Sequence, residues 1–334
     1  MYQKVYLSVP KYNHGTSPLG CSFVIKVTIM KLLVTDIGGT FIKYAVMDQD
    51  MSILSRGRIP TPRESARALV DGLCELYESS GEVSGLAISL PGIIDSDEGR
   101  VVMGGALRYN DGFALGDVLK ERISVPICME NDAKCAAMAE AGAGSLRDVK
   151  DGLVIIFGTM IGGGIIKDGK LWRGRHFSAG EVSYISTDRG PVPERETVWG
   201  NRCSVLALCR DYAREKGLDP ESVNGEMVFE AVLAGDEAAK RSLDRFTGEI
   251  AVQLFNLQTV LDPERIAIGG GISAQPVLIE YIRRHLDTFY ESFPYPITRS
   301  EVVACRFLND ANLYGAFQCF ISRFPQTRAA EETI

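Results

Sequence analysis

Apolar runs separated by polar turns divide the chain into two stretches of similar order. From Lys31 to about Thr61 the pattern reads strand, tight turn, strand, short turn at Asp48-Gln49-Asp50 and strand, which predicts an antiparallel meander. Residues 63–80 carry apolar Ala66, Leu69, Val70, Leu73, Leu76 and Tyr77 at helical spacing, and Gly81 stands where such a helix ends. Val83 to Leu90 reads as a buried strand stopping at Pro91-Gly92. Ile127 to Glu130 is a second short strand, and 131–142 a helix rich in alanine. A second meander begins at Leu153 and has its own hairpin at Lys167-Asp168-Gly169-Lys170. Residues 202–257 are mostly helical in spacing, and Arg265 to Ile268 is a strand that runs into Gly269-Gly270-Gly271. A helix near 275–290, a strand at Glu301 to Arg306 and a last helix near 310–322 follow. The repeated order of meander, helix, strand and helix predicts two related α/β domains with a cleft between them.

Each meander breaks at a glycine-and-threonine turn: Asp36-Ile37-Gly38-Gly39-Thr40 in the first, and Phe157-Gly158-Thr159-Met160-Ile161-Gly162-Gly163-Gly164 in the second. One such turn is most often only a hairpin. Two, with an acidic residue in the first, predict a duplicated clamp for nucleotide phosphates. A polyphosphate needs several backbone N–H groups aimed at one point with no side chain in the way, which glycine allows, while threonine adds a hydroxyl donor. The Asp36 carboxylate, at a strand end, can hold Mg²⁺ directly or through its water shell. Neither turn has Walker A spacing, and each continues as a strand, which excludes the dinucleotide fingerprint.

Composition narrows the partners. At 334 residues the chain is long enough for about two domains of ordinary size, roughly 100–200 residues each. Lys and Arg number 36 against 43 Asp and Glu, a net charge of −7, so no basic surface points to nucleic acid or acidic lipid. The eight cysteines form no C-x-x-C pair and several sit in apolar runs, as buried thiols of a reducing, cytoplasmic protein do. With three histidines spread along the chain, a Cys/His zinc site has poor raw material. No apolar run is long enough to span a membrane. Residues 1–29 show no clean signal peptide and read as a poorly ordered extension before Met30-Lys31, with a polar tail at 323–334.

Two further segments bear on chemistry. Glu130-Asn131-Asp132-Ala133 lies at a strand-to-helix junction, where Asn131 or Asp132 serves by default as a helix cap. Between two phosphate loops, however, a carboxylate at a strand end stands where an acceptor hydroxyl meets the γ-phosphate, and Asp132 is the candidate base. Gly269-Gly270-Gly271 is either a flexible helix entry or a surface on which purine and ribose lie against bare backbone.

Asp36-Ile37-Gly38-Gly39-Thr40, Leu90-Pro91-Gly92, Glu130-Asn131-Asp132-Ala133, Gly158-Thr159 with Gly162-Gly163-Gly164, Ala179-Gly180-Glu181 and Ile268-Gly269-Gly270-Gly271 occur in an order that resembles the ROK family. That family comprises sugar kinases and sugar-responsive repressors on the actin-like, hexokinase-like ATPase fold, with ribonuclease H-like domains around an interdomain cleft. The resemblance covers residues 31 to about 320. It implies an N-terminal domain of 30–130 plus about 307–322, a C-terminal domain of 131–306, and ATP-dependent transfer to a sugar hydroxyl, with ATP and Mg²⁺ as cofactors. Asp132 matches the catalytic aspartate, and Asn110, Asn131 and Glu181 match sugar ligands. Asp36, Gly38, Gly39 and Thr40 match the first phosphate loop, Gly158 and Thr159 the second, and Gly269, Gly270 and Gly271 the adenosine loop. A homodimer is open on the resemblance alone.

The departures matter as well. Where many members have a Gly-His pair and a cysteine-rich zinc segment, this chain reads Glu181-Val182-Ser183-Tyr184 and later has the single Cys203. No structural zinc is expected, and Tyr184 stands in the place of the histidine that touches the sugar. This looks like the zinc-lacking branch that includes β-glucoside kinases, with a pocket open to a disaccharide. Met160 replaces a glycine in the second loop. The acceptor hydroxyl is expected at C6, and glucose, N-acetylmannosamine and a β-glucoside such as cellobiose remain open as substrates. The rival readings are a sugar-sensing regulator, disfavoured because the 29 residues before the first strand are too few and too irregular for a winged helix-turn-helix and the chain as a whole is acidic, and a non-catalytic sugar-binding protein, disfavoured by Asp132.

Overall fold

The computed structural model describes residues 30–188, 190 and 195–325. The expected extension at 1–29 and the tail beyond residue 325 lie outside them. In chain order, β1 (Lys31–Ile37), β2 (Phe41–Asp48) and β3 (Ile53–Pro60) form the first meander, and α1 (Ala66–Ser79) leads to β4 (Gly85–Leu90). A hairpin of β5 (Ile93–Asp95) and β6 (Arg100–Met103) and a short α2 (Leu115–Lys120) precede β7 (Ile127–Asn131). α3 (Asp132–Ala143) then carries the chain to the second half. There β8 (Gly152–Phe157), β9 (Ile161–Lys167) and β10 (Lys170–Trp172) repeat the meander. They are followed by α4 (Trp199–Arg202), α5 (Val205–Lys216), α6 (Gly225–Leu233) and α7 (Glu237–Leu261). β11 (Arg265–Gly269), α8 (Pro276–Glu291), β12 (Glu301–Ala304) and α9 (Ala311–Arg323) complete the fold.

The two halves repeat one sheet. The strand orders are β3-β2-β1-β4-β7 and β10-β9-β8-β11-β12, antiparallel through the meander and parallel beyond it. Strand alternation decides which layer each side chain joins. In β1, Leu33 and Ile37 pack with α1 and α2, whereas Leu32 and Val34 face α9. In β8, Leu153, Ile155 and Phe157 join the core under α5 to α8, whereas Val154 faces Ala137 of α3.

α3 and α9 therefore lie between the sheets, and they cross closely: a Cβ on Gly315 would sit 1.7 Å from the carbonyl oxygen of Cys135. The expected strand at 301–306 stops at Ala304: the Cys305 N–H still donates to Ile268 O of β11 at 2.8 Å, but the amides after it are captured elsewhere. Buried Glu140, on α3, accepts the N–H groups of Arg306 at 2.8 Å and Phe307 at 3.0 Å, and that of Ser145 at 2.6 Å. This carboxylate turns the chain out of the second sheet and back to the first. The β5–β6 hairpin and α2 have no counterpart in the sequence pattern as read, since each is too short for its periodicity to register.

Candidate active site

Both phosphate-loop candidates stand at equivalent places, the carboxyl ends of β1 and β8, where open α/β sheets bind ligands. Asp36 lies near the end of β1. Its Oδ1 accepts from Asn312 Nδ2 at 3.0 Å and from Ser89 Oγ at 3.2 Å, while Oδ2 faces Lys43 Nζ at 3.8 Å. Burial pushes its carboxyl above the usual range, opposed by the Asn312 hydrogen bond, the Lys43 charge and Ser89. The loop beyond it closes through the Gly38 N–H, which donates to Phe41 O at 3.0 Å. Three bonds from one segment brace it: Thr61 Oγ1 to Gly38 O at 2.7 Å, Thr61 N to Thr40 O at 3.0 Å and Arg63 Nη2 to Gly39 O at 2.9 Å. The second loop is tighter, with Gly158 N donating to Met160 O at 3.0 Å. Its base is fixed by Phe157, which packs edge-on against buried Trp199 at 6.2 Å and against Phe246 at 6.0 Å.

Asp132 opens α3. Its Oδ1 accepts from Ala133 N at 2.8 Å and from Asn131 Nδ2 at 3.0 Å. Burial raises its carboxyl to about 6; the Ala133 N–H and Lys134 lower it, and the nearby charges of Asp36 and Glu181 raise it. A carboxyl tuned in that way is ionised at neutral pH yet basic enough to accept a proton. Asn131 is the cap that its position suggests: Oδ1 accepts from Lys134 N at 3.0 Å, and Nδ2 also donates to Gly92 O at 2.9 Å. Both amide hydrogens are thus engaged inside the protein. Gly92, at φ +103°, is obligatory here, since a Cβ would lie 1.9 Å from Met103 O.

The glycines of β9, beyond the second loop, serve close packing. A Cβ on Gly162 would sit 2.6 Å from the Ala133 Cβ, and one on Gly164 2.4 Å from the Ala137 Cβ, so these residues let α3 lie flat on the strand. Gly163 does the same for the opposite face, where a Cβ would be 2.5 Å from Gly180 O. Glu181 follows that contact, and its Oε1 accepts from Lys134 Nζ at 3.1 Å. Asn110 sits in a short turn at Arg108–Asn110 with its side chain buried and its Oδ1 without a hydrogen-bond partner. Such an orphan acceptor is unfavourable by about 1–3 kcal/mol and is a place for a ligand hydroxyl. Tyr184 is 60% exposed, in the turn at Val182–Tyr184. Met160 lies over α4, where a Cβ on Gly200 would come 2.7 Å from its Cε.

A cavity of about 510 Å³ runs between the second loop and the triple glycine, with Phe157, Gly158, Thr159, Val205, Phe229 and Gly271 among its walls. The three glycines are not equivalent. A Cβ on Gly269 would lie 2.4 Å from Ile156 Cδ1, and one on Gly270, at φ +94°, 2.0 Å from Phe157 O; both are needed for packing against β8. Gly271 alone has open space where a Cβ would be. It is therefore the glycine whose bare backbone is open to the cavity.

Sequence reasoning missed Thr61, Arg63, Ser89, Asn312 and Lys134. Of these, Lys134 carried a signal, a cation two residues beyond the candidate base on an otherwise small-residue helix face.

Two like-ordered sheets, each ending in a glycine-threonine loop, define an actin-like ATPase fold. The chain belongs to the ROK family, whose profile matches residues 33–323. It is 36% identical over 262 residues, 78% of this chain and 88% of its relative, to a β-glucoside kinase of Klebsiella pneumoniae. A ROK family protein from Streptococcus pneumoniae, solved with sucrose, superposes with a TM-score of 0.80 at 29% identity, covering 89% of this chain and 100% of the other. A ROK glucokinase from Streptomyces griseus, solved with glucose and AMPPNP, gives 0.74 at 26% identity, covering 86% and 97%.

Proposed function

We propose that this protein transfers the γ-phosphoryl group of ATP to a primary hydroxyl, at C6, of a β-glucoside such as cellobiose or of a hexose, with Asp132 as the general base. That it is an ATP-dependent sugar kinase rests on its family membership and its 36% identity to a β-glucoside kinase. The observation that carries the finer reading is Asp132, held by Asn131 and Ala133, with a carboxyl raised to about 6 and under the influence of Asp36 and Glu181.

In this mechanism Asn110 offers its orphan acceptor to a sugar hydroxyl. Glu181 takes another, Asn131 holds Asp132 and adds its remaining lone pair, and Tyr184 forms an open rim that admits a second sugar ring. Asp132 accepts the proton of the attacking hydroxyl as the phosphoryl group transfers. Gly38, Gly39, Thr40, Gly158 and Thr159 cradle the phosphates, and Gly271, set by Gly269 and Gly270, receives the nucleoside. Closure of the two lobes keeps water from the phosphoryl group.

Mg²⁺ fits this donor set. Among the described residues, Oδ2 of Asp36 has only the distant Lys43 as partner, and one carboxylate beside phosphate loops suits an ion usually held by waters, phosphates and one or two carboxylates. When bound, the ion neutralises phosphate charge. Among the described residues no group of three or more His, Cys, Asp or Glu is placed to hold a metal on its own. No helix of the described residues is long and apolar enough to cross a membrane, and a reaction drawing on ATP belongs in the cytoplasm.

The test is a coupled ADP-release assay with MgATP over glucose, mannose, fructose, N-acetylmannosamine, N-acetylglucosamine and cellobiose. Turnover with cellobiose ahead of glucose is expected. Silence on every sugar, in folded protein that binds ATP, returns the chain to the non-catalytic sugar-binding reading.

A further inference from the structure

Lys134 is the only buried lysine or arginine among the described residues, with a side chain 1% exposed. It stands in the first turn of α3, two residues after Asp132. Its Nζ donates to Oε1 of Glu181 at 3.1 Å, its one acceptor among the described residues. An ammonium carries three N–H donors, so two are left over. Burying a cation in this way is unfavourable, and replacing the whole pair by apolar side chains of similar volume would serve stability as well or better. Packing alone therefore does not account for a lysine here.

The surrounding backbone is shaped to bring the two ends of this pair together. Gly162 and Gly164 let α3 lie on one face of β9, and Gly163 lets Gly180 approach the other. Lys134 thus reaches from α3 to the residue that follows Gly180. Asp36, Asp132 and Glu181 would otherwise concentrate three carboxylates around one cleft. Lys43, the other cation at hand, is 48% exposed and sits by Asp36.

We propose that Lys134 is a positioning residue of the sugar site: its ammonium fixes the Glu181 carboxylate beside the Asp132 end of α3 and offers its free N–H groups to a sugar oxygen. This rests on the kinase reading above and deepens it. Glu181 held by Lys134 at Oε1 keeps Oε2 for a sugar hydroxyl. A Glu181 released from Lys134 turns toward solvent, being already 22% exposed.

A set of variants and one crystal structure test the assignment, using the full chain and the best sugar of the panel. K134M is expected to raise KM for the sugar at least tenfold and to leave KM for ATP within about twofold. K134R, which keeps the charge, recovers most of the loss. In an E181Q background K134M adds little further, because the two residues act as a unit. A sugar KM unchanged in K134M, or an effect fully additive with E181Q, overturns the proposal. K134Q takes the place of K134M if the latter does not fold. The crystal structure of the same variant reads Glu181 without any turnover: a displaced carboxylate is expected, and one that stays in place overturns the proposal. Wild-type silence on all sugars counts against the kinase reading alone.

Discussion

Arg173 donates its Nε–H to Oε2 of Glu130 at 2.6 Å, joining the residue after β10 to the penultimate residue of β7, one from each sheet. Glu130 is 1% exposed and also accepts from Ser96 Oγ at 3.0 Å and Asn131 N at 2.9 Å. Its carboxylate thus anchors the backbone that presents Asn131 and Asp132. R173A leaves this charge buried without its cation and is expected to destabilise the protein by about 3 kcal/mol, since breaking a buried pair from one side is strongly unfavourable. Denaturant unfolding measures it; E130Q/R173M, which removes both charges, should recover part of the loss.

Asp132 gives activity and stability opposite dependences on pH. With ionised Asp132 as the proposed base, kcat/KM should fall as pH drops through about 6. For stability the sign follows from a folded-state carboxyl that is raised above its value in the unfolded chain. Ionisation then disfavours the fold, with no penalty below pH 4 and the full penalty above about 6. D132N should therefore melt higher than wild type at pH 7.5, by a margin of order 1–3 kcal/mol that closes toward pH 4, while losing about 10²–10⁴ in kcat.

Asn110 makes a related trade. Its Oδ1 is buried and unpaired in the free protein, so N110A removes an unfavourable group as well as a ligand. Melting temperature should hold or rise while KM for the sugar increases about tenfold or more, the equivalent of roughly 1.4 kcal/mol. Equal loss of stability and affinity would place Asn110 in the scaffold instead.

The adjacent glycines of the last loop separate packing from binding. G270A strains a backbone at φ +94° and meets Phe157 O, and is expected to lower stability by at least about 1–3 kcal/mol. G271A meets no protein atom and should leave stability within about 0.5 kcal/mol while weakening ATP several-fold, read by nucleotide titration.

Much of this was legible from the chain. Alternation in β1 and β8 and helical spacing in α1 and α8 sit where the pattern puts them, because each reflects a single face meeting a core. The glycine-threonine turns and the Asn131 cap are local features, and so they too could be read. The purpose of the β9 glycines could not: phosphate contact and helix packing both ask for a missing side chain, and only the position of α3 against Gly162 and Gly164 distinguishes them.

The sequence by itself determined two repeats of one α/β order, the strand ends that carry Asp36, Asp132 and the two loops, and the family. The tertiary structure alone decided which side chains serve them. Asn312 reaches Asp36 across 276 positions, Lys134 meets Glu181 across 47 and Arg173 meets Glu130 across 43. Periodicity and capping act over a turn or two of chain, whereas the partner of a buried charge is chosen by whichever element packs beside it.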